Sequence, residues 1–339
     1  MLKKSVLILI FFCLNNLPVM AAPSASATAQ AERFERYYGL LPDADVQARI
    51  ANIGRLLVKA NGLSEDAFSF KVINSAQINA VMLPGGYIYI YKGLLDFMPT
   101  DEELAAVIGH EMGHVVGRHL ARRGREQLLT MILGGLLGGT EGAIAASAAI
   151  NSLPAYNQRD EREADDSGFK FLLGAQMNPY AMLVVMNKLH DADEHPEIRS
   201  NFAQHPEPTA RAQRIKNQLQ KMQISPVVLE SGLTAVVKDK DWSFAITMPD
   251  GFNKPIYRAW LLAGNLYVLA NAGEVSADKF IVDEQKDYAL IYYDGRLIYR
   301  LCRADLLADG VSLAQKAAEC VERLREWADG NNGNRAAAR

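Results

Sequence analysis

The sequence feature that most constrains this chain is a pair of histidines four residues apart, with a glutamate directly after the first. The segment reads His110-Glu111-Met112-Gly113-His114. In a helix, the two histidines lie on one face, one turn apart, so that both imidazoles can bind one metal ion. The glutamate between them can then reach a water molecule at that metal. The spacing therefore predicts a zinc site with Glu111 as the residue that activates the water.

The residues around this motif predict a long, buried helix. Thr100 precedes three acidic residues, and Thr100 and Glu103 have the spacing of a capping box. Apolar residues then recur at helical spacing, which predicts a buried face that would hold metal ligands rigidly. These residues are Leu104, Val107, Ile108, Met112 and Val115.

Length and composition indicate a globular protein of about two domains. The chain has 339 residues, of which 49% are hydrophobic and 22% are charged. The net charge is −3 and the sequence has no dense basic run, so we expect no nucleic-acid partner.

The first residues have the organisation of a signal peptide. Lys3 and Lys4 precede the apolar run Ser5–Leu14, and cleavage after Ala21 fits the small-residue rule. The apolar run is short for a membrane span, so we expect export to the periplasm.

Two cysteines, Cys302 and Cys320, remain in the mature chain after the signal peptide is removed. An even pair in an exported protein predicts one structural disulfide, with two buried thiols as the alternative.

Changes in composition and in the pattern of apolar residues divide the chain into five parts. We expect a signal peptide at 1–21, a leader at 22–42, flexible in its Ala/Ser-rich part, and a peptidase domain at 43–225. A small α+β domain at 226–328 and a disordered tail at 329–339 follow. Residues 128–150 are apolar and rich in glycine and alanine, which predicts a flexible helical hairpin near the active site. The sequence leaves three roles open for this segment: a lid, a contact with a membrane surface, or core packing, which is the default.

Local patterns predict the individual elements. We expect helices from Asp43 to near Gly62, over 156–173, from Pro179 to Leu189 and from Ser312 to Trp327. We expect strands at Phe68–Ile73 and on either side of Pro84-Gly85-Gly86, the second having one buried face. We also expect β-hairpins over Trp260–Ala270, around Gly264-Asn265, and over Tyr288–Leu301, around Asp294-Gly295.

A catalytic zinc needs a third protein ligand, and spacing alone leaves several candidates. Along a continuous helix, His119 is rotated by about 500° from His114, which turns it away from the metal face. Leu120 stands where the pattern H-E-x-x-H-x-x-G-x-x-H needs its last histidine. Glu161 and Asp165 are four residues apart on one predicted helix face, so one could bind zinc and the other could orient a ligand histidine. Glu163 competes, but it points elsewhere on that helix.

Four segments in order resemble one family of zinc metallopeptidases, the gluzincin-type family that includes HtpX, the CAAX prenyl proteases, BepA and LoiP. Together they cover about residues 40–220. The matching segments are Asn79-Ala80 with Pro84-Gly85-Gly86, the HEMGH motif with Arg118-His119, Glu161 with Ala164-Asp165, and His205-Pro206 followed by Arg211.

The chain departs from the family at two points. Many members have Ser-Arg at Asn157-Gln158, and HtpX and the prenyl proteases are integral membrane proteins. The absence of a convincing transmembrane pair favours the soluble periplasmic branch of the family. The strand-rich part after residue 226 replaces the helical repeats of BepA, so that partners of BepA are not implied for this chain.

The resemblance implies a mainly α, zincin-like peptidase domain with a small β-sheet edge, followed by the small α+β domain. It implies one Zn²⁺ per chain held by His110, His114 and Glu161, with Glu111 as the catalytic acid–base residue and Asp165 behind the ligands. It also places His205 and Arg211 at the active site as catalytic residues, with His205 able to approach the zinc. We expect Arg211 to be the cation that, together with zinc, stabilises the tetrahedral oxyanion. Asn79, Ala80, Pro84, Gly85 and Gly86 would form the edge strand that pairs with substrate.

These expectations add up to an exported zinc metalloendopeptidase that cleaves unfolded or misassembled envelope proteins, outer-membrane proteins among them. Peripheral contact with a membrane through residues 128–150 fits the same location. The alternative is a latent peptidase in which His205 fills the open metal position, so that the chain acts mainly as a zinc-dependent chaperone. A purely structural zinc site is disfavoured, because no set of four cysteines and histidines has the spacing for it.

Overall fold

The computed structural model describes residues 22–122, 158–194, 205, 208–306 and 310–337. The predicted signal peptide at 1–21 and the apolar segment 128–150 lie outside these residues. The helices are α1 Ala25–Tyr38, α2 Ala44–Ala60, α3 Lys92–Phe97, α4 Asp101–Val116, α5 His119–Arg122, α6 Gln158–Gly174, α7 Ala181–Glu194, α8 Pro208–Lys221, α9 Pro255–Ala272 and α10 Leu313–Ala337. The strands are β1 Ser69–Ile73, β2 Ala80–Leu83, β3 Tyr87–Tyr91, β4 Val227–Ser231, β5 Thr234–Asp239, β6 Trp242–Ile246, β7 Phe280–Glu284, β8 Tyr288–Tyr293 and β9 Arg296–Cys302. Within the described ranges, no helix is both long and apolar enough to cross a membrane.

The first sheet has the order β1-β3-β2, which leaves β2 at an edge. Strand β3 runs parallel to β1 and antiparallel to β2. The turn between β2 and β3 contains Gly85 and Gly86, whose φ angles are 87° and 76°. A side chain at Gly86 would also collide with the carbonyl oxygen of Ala67. The predicted pair of strands around Pro84-Gly85-Gly86 is therefore confirmed, and the glycines are needed for its turn.

Both faces of this sheet are buried, because helix α1 covers the second one. Ile88 and Ile90 of β3 face the main core with α2 and α4, whereas Tyr89 and Tyr91 pack with Phe34 of α1. Two predictions are thus wrong. Strand β3 does not have only one buried face, and the Ala/Ser-rich part of the leader is not flexible but begins a helix that spans residues 25–38. The Ser24 side chain accepts a hydrogen bond from the backbone N–H of Ala27, which stabilises the start of α1.

The part of the chain after residue 226 contains two three-stranded antiparallel sheets, β4-β5-β6 and β7-β8-β9, packed with α9 and α10. The hairpin predicted at Tyr288–Leu301 is confirmed, with Asp294 and Gly295 at positive φ in its turn. The hairpin predicted at Trp260–Ala270 is wrong, because these residues belong to helix α9. Residues 329–337 of the tail that was expected to be disordered are helical, since α10 continues to Ala337.

A buried asparagine, Asn178, connects the part of the chain before residue 226 to helix α9. The side-chain amide of Asn178 donates to the Leu261 carbonyl at 2.7 Å and to Asn265 Oδ1 at 3.0 Å. A side chain at Gly264 would collide with the Asn178 carboxamide. The ring of Tyr180 packs against the cores on both sides of this contact.

The disulfide predicted between Cys302 and Cys320 does not form in this structure. Both residues are free, buried thiols. The Cys302 thiol donates instead to Asp305 Oδ2 at 3.3 Å. Cys320 lies on α10 among the apolar residues of the C-terminal core. Burial raises the pKa of the Cys320 thiol to about 12, so this thiol stays protonated and unreactive at neutral pH.

Candidate active site

The helix that carries the two motif histidines begins as its sequence predicts. The Thr100 hydroxyl accepts a hydrogen bond from the Glu103 backbone N–H, and the Glu103 carboxylate accepts one from the Thr100 backbone N–H. This capping box fixes the start of α4. About three and four turns later, His110 and His114 point to the same side, with their Nε2 atoms 3.0 Å apart. Both imidazoles are buried.

Helix α6 lies unusually close to α4, because small residues face each other along their contact. A Cβ atom at Gly113 would come within 2.6 Å of the Ala164 carbonyl oxygen, and one at Gly168 within 2.9 Å of the His110 backbone nitrogen. This close approach brings Glu161 to the histidine pair. Its carboxylate oxygens lie 3.3 Å from His114 Nε2 and 3.7 Å from His110 Nε2.

His205 completes a group of four side chains around one point. Its Nδ1 atom lies 2.9 Å from Glu161 Oε1 and 3.2 Å from His110 Nε2. One potential ligand atom from each of His110, His114, Glu161 and His205 lies within 4.8 Å of the others, and all four residues are buried. Three imidazoles and one carboxylate suit Zn²⁺, which binds nitrogen and oxygen donors in tetrahedral geometry.

Glu111 lies next to this group, as the motif predicts. Its side chain is 2% exposed, and its Oε1 atom lies 3.8 Å from His205 Nε2. Among the described residues, this buried oxygen has no hydrogen-bond partner. A buried carboxylate oxygen without a partner is costly, so it favours a proton donor such as a water molecule beside the metal position. The residues present therefore fit a zinc ion with an adjacent base.

Arg211 of α8 forms salt bridges with both Asp165 and Glu161 of α6. Arg211 donates from Nε and Nη2 to the two oxygens of Asp165, at 2.9 Å and 2.7 Å. Its Nη1 lies 2.7 Å from Glu161 Oε2. Asp165 Oδ1 in turn lies 3.0 Å from His110 Nδ1, the ring nitrogen that faces away from His114. Arg211 lies at the site as expected, but its guanidinium faces these carboxylates, which indicates positioning of them.

The electrostatic environment keeps these groups in the forms that bind a metal. Burial raises the pKa of Asp165, but Arg211 and His110 outweigh burial and lower it to about 2. Burial also raises the pKa of Glu161, yet the surrounding imidazoles hold it well below its usual value. Burial lowers the pKa of His114 well below its ordinary value. At neutral pH the carboxylates are therefore charged and His114 is neutral, as metal binding requires.

His119 lies closer to the site than the sequence predicts. Helix α4 ends at Val116, Arg118 adopts a left-handed φ of 52°, and the short helix α5 begins at His119. The rotation expected for a continuous helix therefore does not apply. His119 is outside the four-residue group, but its Nδ1 lies 2.8 Å from His114 Nδ1. The sequence signal for this arrangement was Gly117, a residue that commonly ends helices.

The five residues of the expected substrate strand lie together at the edge of the first sheet. Asn79 and Ala80 stand at the start of β2, and Pro84, Gly85 and Gly86 form the turn that follows it. Asn79 is buried, and its side chain accepts a hydrogen bond from the Ala80 backbone N–H. Because β2 has a neighbour on one side only within this sheet, its outer edge is the one that an extended chain could join.

All of these side chains fall within one stretch that matches a known protein family. The description of that family is Peptidase family M48, and the match covers residues 44–219, which is more than half of the chain. The chain belongs to peptidase family M48. The family resemblance predicted from the short motifs is thus confirmed, and the chain is a metalloprotease, a member of the hydrolases.

Individual relatives agree with this assignment. Metalloprotease LoiP of Escherichia coli strain K12 is 32% identical over 181 residues, which cover 50% of this chain and 69% of LoiP. The beta-barrel assembly-enhancing protease of the same strain is 30% identical over 210 residues, covering 57% of this chain and 42% of the relative. The mitochondrial metalloendopeptidase OMA1 of Arabidopsis thaliana is 36% identical over 121 residues, or 35% and 25% of the two chains. This chain therefore spans less than half of the last two relatives.

Proposed function

We propose that this M48 chain is an exported zinc metalloendopeptidase with a zincin-like catalytic domain at 43–225. One observation carries the proposal: His110, His114, Glu161 and His205 converge within 4.8 Å. A bound zinc ion would supply Lewis-acid activation of water at neutral pH. His110, His114 and Glu161 would hold that ion.

The chain's own residues then divide the remaining tasks. Glu111 accepts the proton of the attacking water and returns it to the leaving amine, because its unpartnered oxygen lies beside the ligand group, 3.8 Å from His205 Nε2. Asp165 accepts the Nδ1–H of His110 and so keeps Nε2 free for the metal. Arg211 holds Asp165 and Glu161 in place from behind.

The proposed substrates are unfolded or misassembled envelope proteins. Two features support this class. The outer edge of β2 offers backbone groups to an extended polypeptide, which folded proteins rarely present. One relative is named for enhancing beta-barrel assembly. The signal-like segment 1–21 supports a periplasmic location.

Replacing Glu161 tests the proposal at the metal. We expect Glu161→Gln to lose most of its bound zinc and to cleave casein at least about 100-fold more slowly, because the amide is a poor zinc ligand. The matched control is Asp166→Asn on the same helix, where Asp166 pairs with Arg214 away from the ligands. Zinc content and casein cleavage are measured on the purified chain without residues 1–21. Full cleavage by both Glu161→Gln and Glu111→Gln would rule out the proposal.

The position of His205 favours a second candidate function, a latent peptidase that acts mainly as a zinc-dependent chaperone. If His205 is the fourth zinc ligand, it occupies the position that water needs. We then expect His205→Ala to retain one zinc per chain and to cleave casein at least about 10-fold faster than the wild type, because an open position is restored. Wild-type cleavage rates in this variant would remove the basis for latency.

A further inference from the structure

His119 is a fully buried histidine in direct contact with a candidate metal ligand. It is 0% exposed, and its Nδ1 lies 2.8 Å from Nδ1 of His114. The other ring nitrogen of His114, Nε2, faces Glu161 Oε1 at 3.3 Å and His110 Nε2 at 3.0 Å. His114 thus has one nitrogen directed into the ligand group and the other directed at His119.

The far side of His119 faces two carboxylates on α6. Its Nε2 lies 3.2 Å from Glu163 Oε2 and 3.9 Å from Asp160 Oδ1. If the Nδ1–H of His114 donates to Nδ1 of His119, the Nε2–H of His119 is left to donate to Glu163. This assignment places one proton on each ring and fits two neutral imidazoles. It leaves the Nε2 atom of His114, which points into the ligand group, without a proton, as metal binding requires.

The backbone after α4 is arranged to bring His119 back to His114. The chain leaves the helix at Gly117, reverses through Arg118 at φ 52°, and starts α5 at His119. A side chain at Gly117 would collide with the His119 imidazole. A glycine at 117 therefore gives His119 the space it occupies.

We propose that His119 is a positioning residue that fixes the tautomer and the ring orientation of His114 through a His114–His119–Glu163 hydrogen-bond chain. It does for His114 what Asp165 does for His110, so each motif histidine is supported on its outer nitrogen. The inference rests on the proposed metal site and adds a residue to it. Hydrogen-bond partners of this kind typically strengthen metal binding by about 10- to 100-fold.

Two substitutions of His119 separate positioning from core packing. His119→Phe fills the space of the imidazole but has no hydrogen-bond acceptor. His119→Asn is smaller, yet its Oδ1 can accept the Nδ1–H of His114 from nearly the same place as Nδ1 of the imidazole. Positioning predicts that zinc affinity falls in the order wild type, Asn, Phe. A packing role predicts that thermal stability of the metal-free protein falls in the order wild type, Phe, Asn.

Zinc affinity is measured on the full mature chain by competition with a chelator of known affinity, with zinc stoichiometry alongside. We expect one zinc per chain throughout, a zinc dissociation constant roughly 10- to 100-fold higher in His119→Phe, and partial recovery in His119→Asn. Equal affinities in the wild type and His119→Phe would overturn the inference and leave the proposed function intact. If His119→Phe does not fold, Glu163→Ala decides the question. A loss of zinc affinity in Glu163→Ala supports the His114–His119–Glu163 hydrogen-bond chain, and unchanged zinc affinity overturns it. Two zinc ions in the wild type and one in His119→Phe or His119→Asn would instead identify His119, Asp160 and Glu163 as a second metal site.

Discussion

Replacing Glu111 with glutamine is expected to lower kcat for casein cleavage by about 10²- to 10⁴-fold, the usual contribution of a general base. The amide has nearly the shape of the carboxylate but cannot accept the proton of the attacking water. Because Glu111 is adjacent to the ligand group without belonging to it, zinc content should stay at one per chain. The measurement is kcat together with zinc content on the same preparation.

Glu102→Gln is the matched control for this substitution. Glu102 is a buried glutamate on the same helix, in its first turn, and burial raises its pKa to about 7. The uncharged amide therefore resembles a state that Glu102 already populates at neutral pH. We expect this variant to keep wild-type kcat. An equal loss of activity in Glu102→Gln and Glu111→Gln would indicate disturbance of the helix and not loss of a base.

Replacing Lys188 with methionine is expected to destabilise the fold by about 3–5 kcal/mol, because it leaves a buried carboxylate without its counter-ion. Lys188 Nζ lies 2.8 Å from Glu103 Oε1 and also donates to the Phe97 carbonyl. Both charged side chains are almost completely buried, at 1% and 0% exposed. Glu103 is the N3 residue of the capping box that begins α4, so the loss of stability affects the helix that carries His110 and His114. Denaturant unfolding of the metal-free chain measures the free energy of unfolding.

An exposed pair of the same type provides the comparison. Lys92 pairs with Asp96 at 3.3 Å on the surface, and Lys92→Met should cost less than about 1 kcal/mol. Combining Lys188→Met with Glu103→Gln should recover part of the lost stability, because the buried charge is then removed. A cost under about 1 kcal/mol for Lys188→Met alone would show that the buried pair contributes little.

The elements that sequence predicted well are those with local signals. The capping box at Thr100 and Glu103 places the start of α4, and Pro84-Gly85-Gly86 places the turn between β2 and β3. The Glu161–Asp165 spacing placed both carboxylates on one face of α6, but spacing alone did not choose which of the two binds the metal. The choice depends on the close contact of α4 and α6, which is a tertiary feature set by Gly113 and Gly168.

The errors share a physical cause. Helix α9 is buried on most sides, so its residues have no polar stripe, and a short apolar run with Gly264-Asn265 in it resembles a hairpin. Gly264 is in fact a contact point for Asn178, a partner that is remote in sequence. The local signal that favoured a helix was Pro255 at its first position. His119 was misplaced for a related reason, since the rotation argument assumed that α4 continued beyond Val116.

The Asn178 contact bears on how this protein can be shortened or recombined. Cutting the chain near residue 226 would remove the Leu261 carbonyl and the Asn265 side chain that accept from Asn178, and would leave its amide without partners in a former interior. The C-terminal part therefore cannot be removed without the loss of these buried hydrogen bonds. A hybrid that joins this catalytic region to a foreign C-terminal region must bring a helix with a glycine opposite Asn178 and a carbonyl group that accepts its amide.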